Sequence, residues 1–218
     1  MSLQGVIFDL DGTVGNTLPV CFVAFREVFQ TYLGRTYNDQ EIRAMFGPTE
    51  EGKIEQAIPE RFDEAFAAFL AAYEKAHSSC PEPFPGIRHV IEALQTRGIR
   101  RAIVTGKGPR SAEISLRVLG LAGAFDRVEA GSSGGNVKPR NMQRVIKGWG
   151  LDPSTIASVG DAPSDIRAAR EAGAMPLAAA WAATTDVAAL EALRPQETFR
   201  RVDEFLEWIN RNTNHQGP

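Results

Sequence analysis

Five short apolar runs, each ending at a turn or acidic residue, recur at Gly5–Leu10, Arg101–Thr105, Asp126–Ala130, Ile156–Gly160 and Ala174–Ala178. Between the later runs the apolar residues fall at helical spacing instead. Ile87, Val90, Ile91 and Leu94 form one stripe that stops at Gly98, and Met142, Val145, Ile146 and Trp149 form another that stops at Gly150. A chain that alternates buried strands with amphipathic helices has few ways to cover both. The pattern predicts an α/β fold, a Rossmann-like parallel sheet with helices on both faces.

The alternation breaks once, because the stretch from Asn16 to Cys80 contains only helical patterns. Phe25, Val28, Phe29 and Tyr32 fall at i, i+3, i+4 and i+7, and Phe62, Ala65, Phe66, Phe69, Leu70 and Tyr73 carry a similar stripe over three turns. These helices need a partner other than the sheet. Pro81, Pro83, Pro85 and Gly86 then form a stiff re-entry segment. The expected organisation is a core domain built from residues 1–15 and 81–218, with a small α-helical cap domain, residues 16–80, inserted between its parts.

At 218 residues, 43% of them hydrophobic, the chain is long enough to bury a core and an insertion. A formal net charge of -3 provides no basic field to hold a polyanion, so no nucleic-acid partner is expected. The longest apolar run, Leu177 to Ala183, is too short to span a bilayer, and no basic-then-apolar leader opens the chain. The expected location is the cytoplasm, with no membrane partner, as a monomer or homodimer. Cys21 and Cys80 are too few for a disulfide framework and lack zinc-site spacing, so both read as reduced structural thiols. His77, His89 and His215 have no partner spacing and read as surface residues.

In an open parallel sheet, ligands bind at the carboxyl ends of the strands, and the polar signals of this chain fall there. Asp9 and Asp11 stand two apart at the end of the first strand, which points both carboxylates to one side, and Gly12-Thr13 turns the chain. Thr105 closes the second strand, Lys138 precedes Pro139 at a helix start after the third, and Gly160-Asp161 closes the fourth with Asp165 four residues on. Carboxylates converging on one point repel each other unless a cation sits among them, and an all-oxygen set suits magnesium. The Thr105 hydroxyl and the Lys138 charge suit the oxygens of a transferring phosphoryl group.

The segment Gly5-Val-Ile-Phe-Asp-Leu-Asp-Gly-Thr-Val14, the strand ending in Thr105, Lys138-Pro139 and Gly160-Asp161-Ala-Pro-Ser-Asp165 resemble the four ordered motifs of the haloacid-dehalogenase-like hydrolase superfamily. The chain also resembles the phosphoglycolate-phosphatase-like branch, which carries a helical cap after the first strand. The resemblance implies a Mg2+-dependent phosphatase that hydrolyses a small phosphomonoester metabolite through an aspartyl-phosphate intermediate. It implies Asp9 as the nucleophile and Asp11 as general acid and then general base. Magnesium would be held by the Asp9 side chain, the Asp11 backbone carbonyl and Asp161, with Asp165 in direct or water-mediated support, and the phosphoryl oxygens by Thr105, Gly106 and Lys138. An acid at position 11 favours phosphoryl transfer over carbon–halogen cleavage. Two departures are Asn16, where the family often has an acid, and Thr105-Gly106-Lys107, where Thr or Ser followed by Asn is common.

A phosphomutase or a phosphonate hydrolase of the same superfamily is the alternative. The second would need a Schiff-base lysine in the cap, for which Lys53 is the candidate. A non-catalytic phosphoryl-binding protein such as a receiver module is disfavoured, since Asp9 lies on the first strand. Gly47-Pro-Thr-Glu-Glu-Gly52-Lys53-Ile54 nearly matches a P-loop, but Ile54 replaces its Ser or Thr and no strand precedes it. The expectation is that this turn, with Gly47 and Lys53, faces the active site from the cap; a plain helix–helix loop is the alternative, and Arg26 and Arg43 are further candidates for substrate contact. Gly131-Ser-Ser-Gly-Gly135 lacks the spacing of a dinucleotide loop and reads as a flexible approach to Lys138.

Overall fold

A computed structural model describes residues 3–213. Its sheet has six strands: β1 (Gly5–Phe8), β2 (Arg100–Val104), β3 (Arg127–Glu129), β4 (Ile156–Gly160), β5 (Met175–Ala179) and β6 (Glu197–Phe199). They lie in the order β3-β2-β1-β4-β5-β6, and every pairing is parallel. The central strand β1 pairs Phe8 with Ile103 on one side and with Val159 on the other. Successive strands run outward from β1 in one direction and from β4 in the other. The gap between their carboxyl ends is therefore the switch point at which such a sheet opens a crevice.

The described residues also form ten α-helices: α1 (Leu18–Leu33), α2 (Asp39–Ala44), α3 (Glu50–Ala57), α4 (Phe62–Ala76), α5 (Ile87–Thr96), α6 (Pro109–Val118), α7 (Lys138–Trp149), α8 (Pro163–Glu171), α9 (Val187–Ala192) and α10 (Val202–Thr213). All four residues of β1 are buried, as a strand covered on both faces requires. Ile7, Ala102 and Val104 pack with Met142, Val145 and Ile146 of α7 and Ala168 and Ala169 of α8. The alternate residues Phe8, Ile103 and Val159 face the opposite way, toward Leu94 of α5 and Phe205 of α10.

The two aromatic stripes of the inserted segment meet. Phe25 of α1 lies 4.7 Å from Phe69 of α4 between ring centroids, and Phe69 stacks on Tyr73 at 5.8 Å. Helix α1 ends at Gly34, whose φ of 65° provides the left-handed turn a side chain would resist.

Three readings change. Strand β6 was not anticipated. His77 is buried rather than a surface residue: the chain turns back into the core at residues 77–80 and presses the ring against α6, with Nδ1 2.9 Å from the Cys80 carbonyl and Nε2 3.1 Å from Ser115 Oγ. His89 is exposed, and His215 lies outside the described residues. The Gly131–Gly135 loop is pinned rather than free, because the Gly131 N–H donates to the Lys107 carbonyl at 2.7 Å and the Ser132 carbonyl accepts from the Thr49 N–H at 3.2 Å. Cys21 and Cys80 are both free and buried. Among the described residues no helix is long and apolar enough to cross a membrane.

Candidate active site

Asp9 leaves the end of β1 with its backbone N–H bonded to the Val159 carbonyl of β4, so its side chain emerges at the switch point. Asp161 follows β4, and Asp165 stands in the first turn of α8. Each of the three offers a carboxylate oxygen, and these oxygens lie within 4.8 Å of one another. Asp165 also caps its helix, accepting from the Ala162 N–H at 3.0 Å. That bond uses Oδ2 and leaves Oδ1 for Lys138.

Lys138, at the start of α7, enters the cluster from the side. Its ammonium donates to Asp165 Oδ1 at 2.5 Å and stands 3.0 Å from Asp9 Oδ1. The latter approach lies off the hydrogen-bonding direction, and Asp9 Oδ1 is buried with no donor aimed at it. Burial pushes the Asp9 carboxyl up to about 7, with Lys138 opposing and Asp165 and Asp11 adding to the rise. Burial, followed by the neighbouring Asp9, raises Asp161 well above the carboxylate range. For Lys138, burial works against the charge, but Asp165 and Asp9 outweigh it and hold the pKa above the ordinary lysine value.

Two buried carboxylates and the half-buried Asp161 facing one ammonium leave an excess of negative charge that the protein does not neutralise. The backbone makes room for this arrangement. A Cβ on Gly12, whose φ is +74°, would run into the Asp161 carboxylate, and one on Gly160 would run into that of Asp165. The orphaned Asp9 oxygen, the all-oxygen donor set and these glycine clearances fit a small hard dication such as Mg2+, which Asp9, Asp161 and Asp165 would hold.

Asp11 points elsewhere. Its Oδ1 accepts from the Thr17 hydroxyl at 2.5 Å and lies 3.2 Å from Lys107 Nζ, so its carboxylate is not part of the acidic cluster. Thr105 is buried at the end of β2, where its hydroxyl accepts from the Lys107 N–H at 3.2 Å. A cavity of about 380 Å3 opens over these groups, and Asp9, Asp11, Thr105, Gly106, Lys138 and Asp161 line its floor.

Residues of α1, α2 and α3 and of the turn before α3 complete its lining. Gly47 and Lys53 line the cavity, as does Arg43, whereas Arg26 pairs with Asp39 beside a separate groove. Lys53 is buried over the rings of Phe46 and Phe25, with its ammonium donating to the Pro48 carbonyl, and burial lowers its pKa. Two lining residues escaped the sequence reading. In the sequence Glu50 of α3 is only part of the P-loop-like run, and Lys107 only a departure from a motif. They form a buried ion pair at 2.9 Å. The one signal that could have found Lys107 was its place directly after Thr105-Gly106.

The chain has relatives over most of its length. A sequence model of the haloacid dehalogenase-like hydrolase family matches residues 6–179. A pyrophosphatase PpaX from Halalkalibacterium halodurans is 30% identical over 175 residues, which cover 79% of this chain and 81% of that protein. A phosphoglycolate phosphatase from Aquifex aeolicus is 25% identical over 182 residues, covering 82% and 85%. Among solved structures, a haloacid dehalogenase-like hydrolase from Streptococcus pneumoniae superimposes with a TM-score of 0.76 at 24% identity, covering 94% of this chain and 98% of that one.

Proposed function

This chain belongs to the haloacid dehalogenase-like hydrolase family, and on that premise we propose that it is a Mg2+-dependent phosphatase that cleaves small phosphomonoesters through a phosphorylated Asp9. The observation that carries the reading is the buried Asp9 carboxylate, whose Oδ1 makes no well-directed hydrogen bond although Lys138 stands 3.0 Å away, at the floor of a cavity shared with Thr105, Gly106 and Lys138.

In this account the ionised Asp9 carboxylate attacks phosphorus and forms a P–O bond as the bond to the leaving oxygen breaks. Asp11 gives that oxygen its proton, then takes one from the water that attacks the phosphoryl group and regenerates Asp9. The Thr105 hydroxyl, the Gly106 backbone and the Lys138 ammonium hold the phosphoryl oxygens throughout. Bound magnesium supplies the positive charge that keeps Asp9 ionised and offsets charge on the phosphoryl group. Residues 16–80 act as a cap domain that excludes water and large esters. The cytoplasm, where thiols such as Cys21 and Cys80 stay reduced, suits this activity.

The cap bears on the substrate. Arg43 and Lys53 bring two cations to the cavity, whereas Glu50 is already paired with Lys107. A leaving group with a negative charge of its own matches that balance, and the two relatives above are named for pyrophosphate and phosphoglycolate. A phosphate-release screen across phosphorylated metabolites, with and without Mg2+ and with Asp9→Asn as control, tests the reading; activity that survives in the variant sinks the nucleophile.

One observation favours a second reading. Lys53 is buried in the cavity wall with a lowered pKa, which suits an amine that condenses with a carbonyl, as a phosphonate hydrolase would require. Borohydride trapping with an aldehyde phosphonate separates the two, since the phosphatase leaves Lys53 unmodified.

A further inference from the structure

Lys107 joins α3 to the floor of the cavity. Its side chain is 1% exposed, and Nζ stands 2.9 Å from Glu50 Oε1, 3.2 Å from Asp11 Oδ1 and 4.6 Å from the centroid of the Tyr73 ring. Glu50, in the first turn of α3, is equally enclosed and accepts from the Gly108 N–H at 2.7 Å with its other oxygen. The backbone of Lys107 is tied down as well, donating to Thr105 Oγ and accepting from the Gly131 N–H.

Burying a lysine with two carboxylates is costly, and apolar residues would fill the same space with less penalty. The expense makes sense when the charges have a task. Asp11 Oδ1 is held by two groups, the Thr17 hydroxyl and the Lys107 ammonium. Both depend on the inserted helices, since Thr17 immediately precedes α1 and Lys107 is enclosed by Glu50 of α3 and Tyr73 of α4. Were α3 to lift, water would enter around Lys107, and its attraction for Asp11 would fall with the rise in local dielectric.

We propose that Lys107 is a positioning residue that fixes the Asp11 carboxylate for its acid–base work, and that Glu50 makes this fixation conditional on the docked cap. The proposal rests on the acid–base role assigned above to Asp11. It differs from a plain ion-pair clamp, which would hold the cap down without affecting proton transfer.

The test compares Lys107→Met and Glu50→Ala with the wild type on an alkyl phosphomonoester and on 4-nitrophenyl phosphate, whose leaving group needs no proton. Lys107→Met should lower kcat on the alkyl ester about 100-fold with little change in KM. On 4-nitrophenyl phosphate it should keep a fast first turnover, seen as a burst of one nitrophenolate per site, followed by slow release as the water step suffers. Glu50→Ala should show the same pattern in weaker form. First turnovers slowed equally on both esters, or a change confined to KM, overturn the positioning role. An arm independent of turnover reads the 13C carboxyl resonance of Asp11, identified by its loss in Asp11→Asn. It should move in both variants, and a resonance that stays in place overturns the proposal even if the wild type releases no phosphate at all, a result that would instead refute the phosphatase reading. The double variant Lys107→Met/Glu50→Gln, which leaves no unpaired charge on α3, serves both arms if Lys107→Met does not fold.

Discussion

Lys138 Nζ stands 3.0 Å from Asp9 Oδ1 yet gives its hydrogen bond to Asp165 at 2.5 Å. Asp9 is therefore close enough to a positive charge to be steadied by it, while one of its oxygens keeps its lone pairs uncommitted. Asp165 restrains the lysine and caps α8 at the same time. The three residues arrive from the end of β1, α7 and α8, so the proposed nucleophile Asp9 is fixed by the fold rather than by its own loop.

The carboxylate cluster predicts a stability response to magnesium that needs no substrate. At a hundredfold excess over its Kd, a ligand of the folded state adds about 2.7 kcal/mol. For a chain of this size that corresponds to a rise in Tm of roughly 5–10 °C. Differential scanning fluorimetry of the wild type should show the rise and Asp161→Asn should lose most of it. An equal rise in both would place the metal elsewhere.

Without metal, stability should fall as pH rises across the neutral range. Burial moves Asp9 from 3.8 to about 7, so between those values the folded chain keeps a proton that the unfolded chain has released. The stabilisation from that proton is fully present below 3.8 and is lost as pH climbs through about 7. Asp161, raised for the same reason, acts in the same direction. Melting curves in EDTA should show Tm falling between about pH 5 and pH 8 more steeply for the wild type than for Asp9→Asn. Parallel slopes would contradict the placement of Asp9.

The cations of α2 and α3 predict selectivity for the leaving group. Replacing Arg43 or Lys53 by Met should raise KM about tenfold for a phosphomonoester with a carboxylate or second phosphate, the loss expected for one charge-assisted contact. A neutral ester should be little affected. Steady-state kinetics on such a substrate pair decide the matter, and equal effects on both would remove these residues from substrate recognition.

Much of this architecture was legible in the sequence, and the exceptions have physical causes. Asp9, Thr105 and Asp161 each follow a strand whose apolar run is unmistakable, so local pattern and sheet topology together bring them to one edge. Strand β6 is only Glu197-Thr198-Phe199, too short for an alternation to register. His77 looked like a surface residue because its partners, Ser115 and the Cys80 carbonyl, come from another helix and from a turn. The Glu50–Lys107 pair spans 57 positions and follows no periodicity; only the docking of α3 against the loop after β2 creates it.

If the proposed chemistry holds, Asp9 carries the phosphoryl group during turnover. Acid-quenching the wild-type enzyme with Mg2+ during turnover of a phosphomonoester, followed by peptide mass spectrometry, tests it most directly. One phosphoryl group should be found on Asp9, in the peptide that also contains Asp11, and it should be absent when Mg2+ is omitted and absent in Asp9→Asn. Turnover that proceeds at full rate with Asp9 unmodified at every quench time, or a phosphoryl group found on another residue, would contradict it.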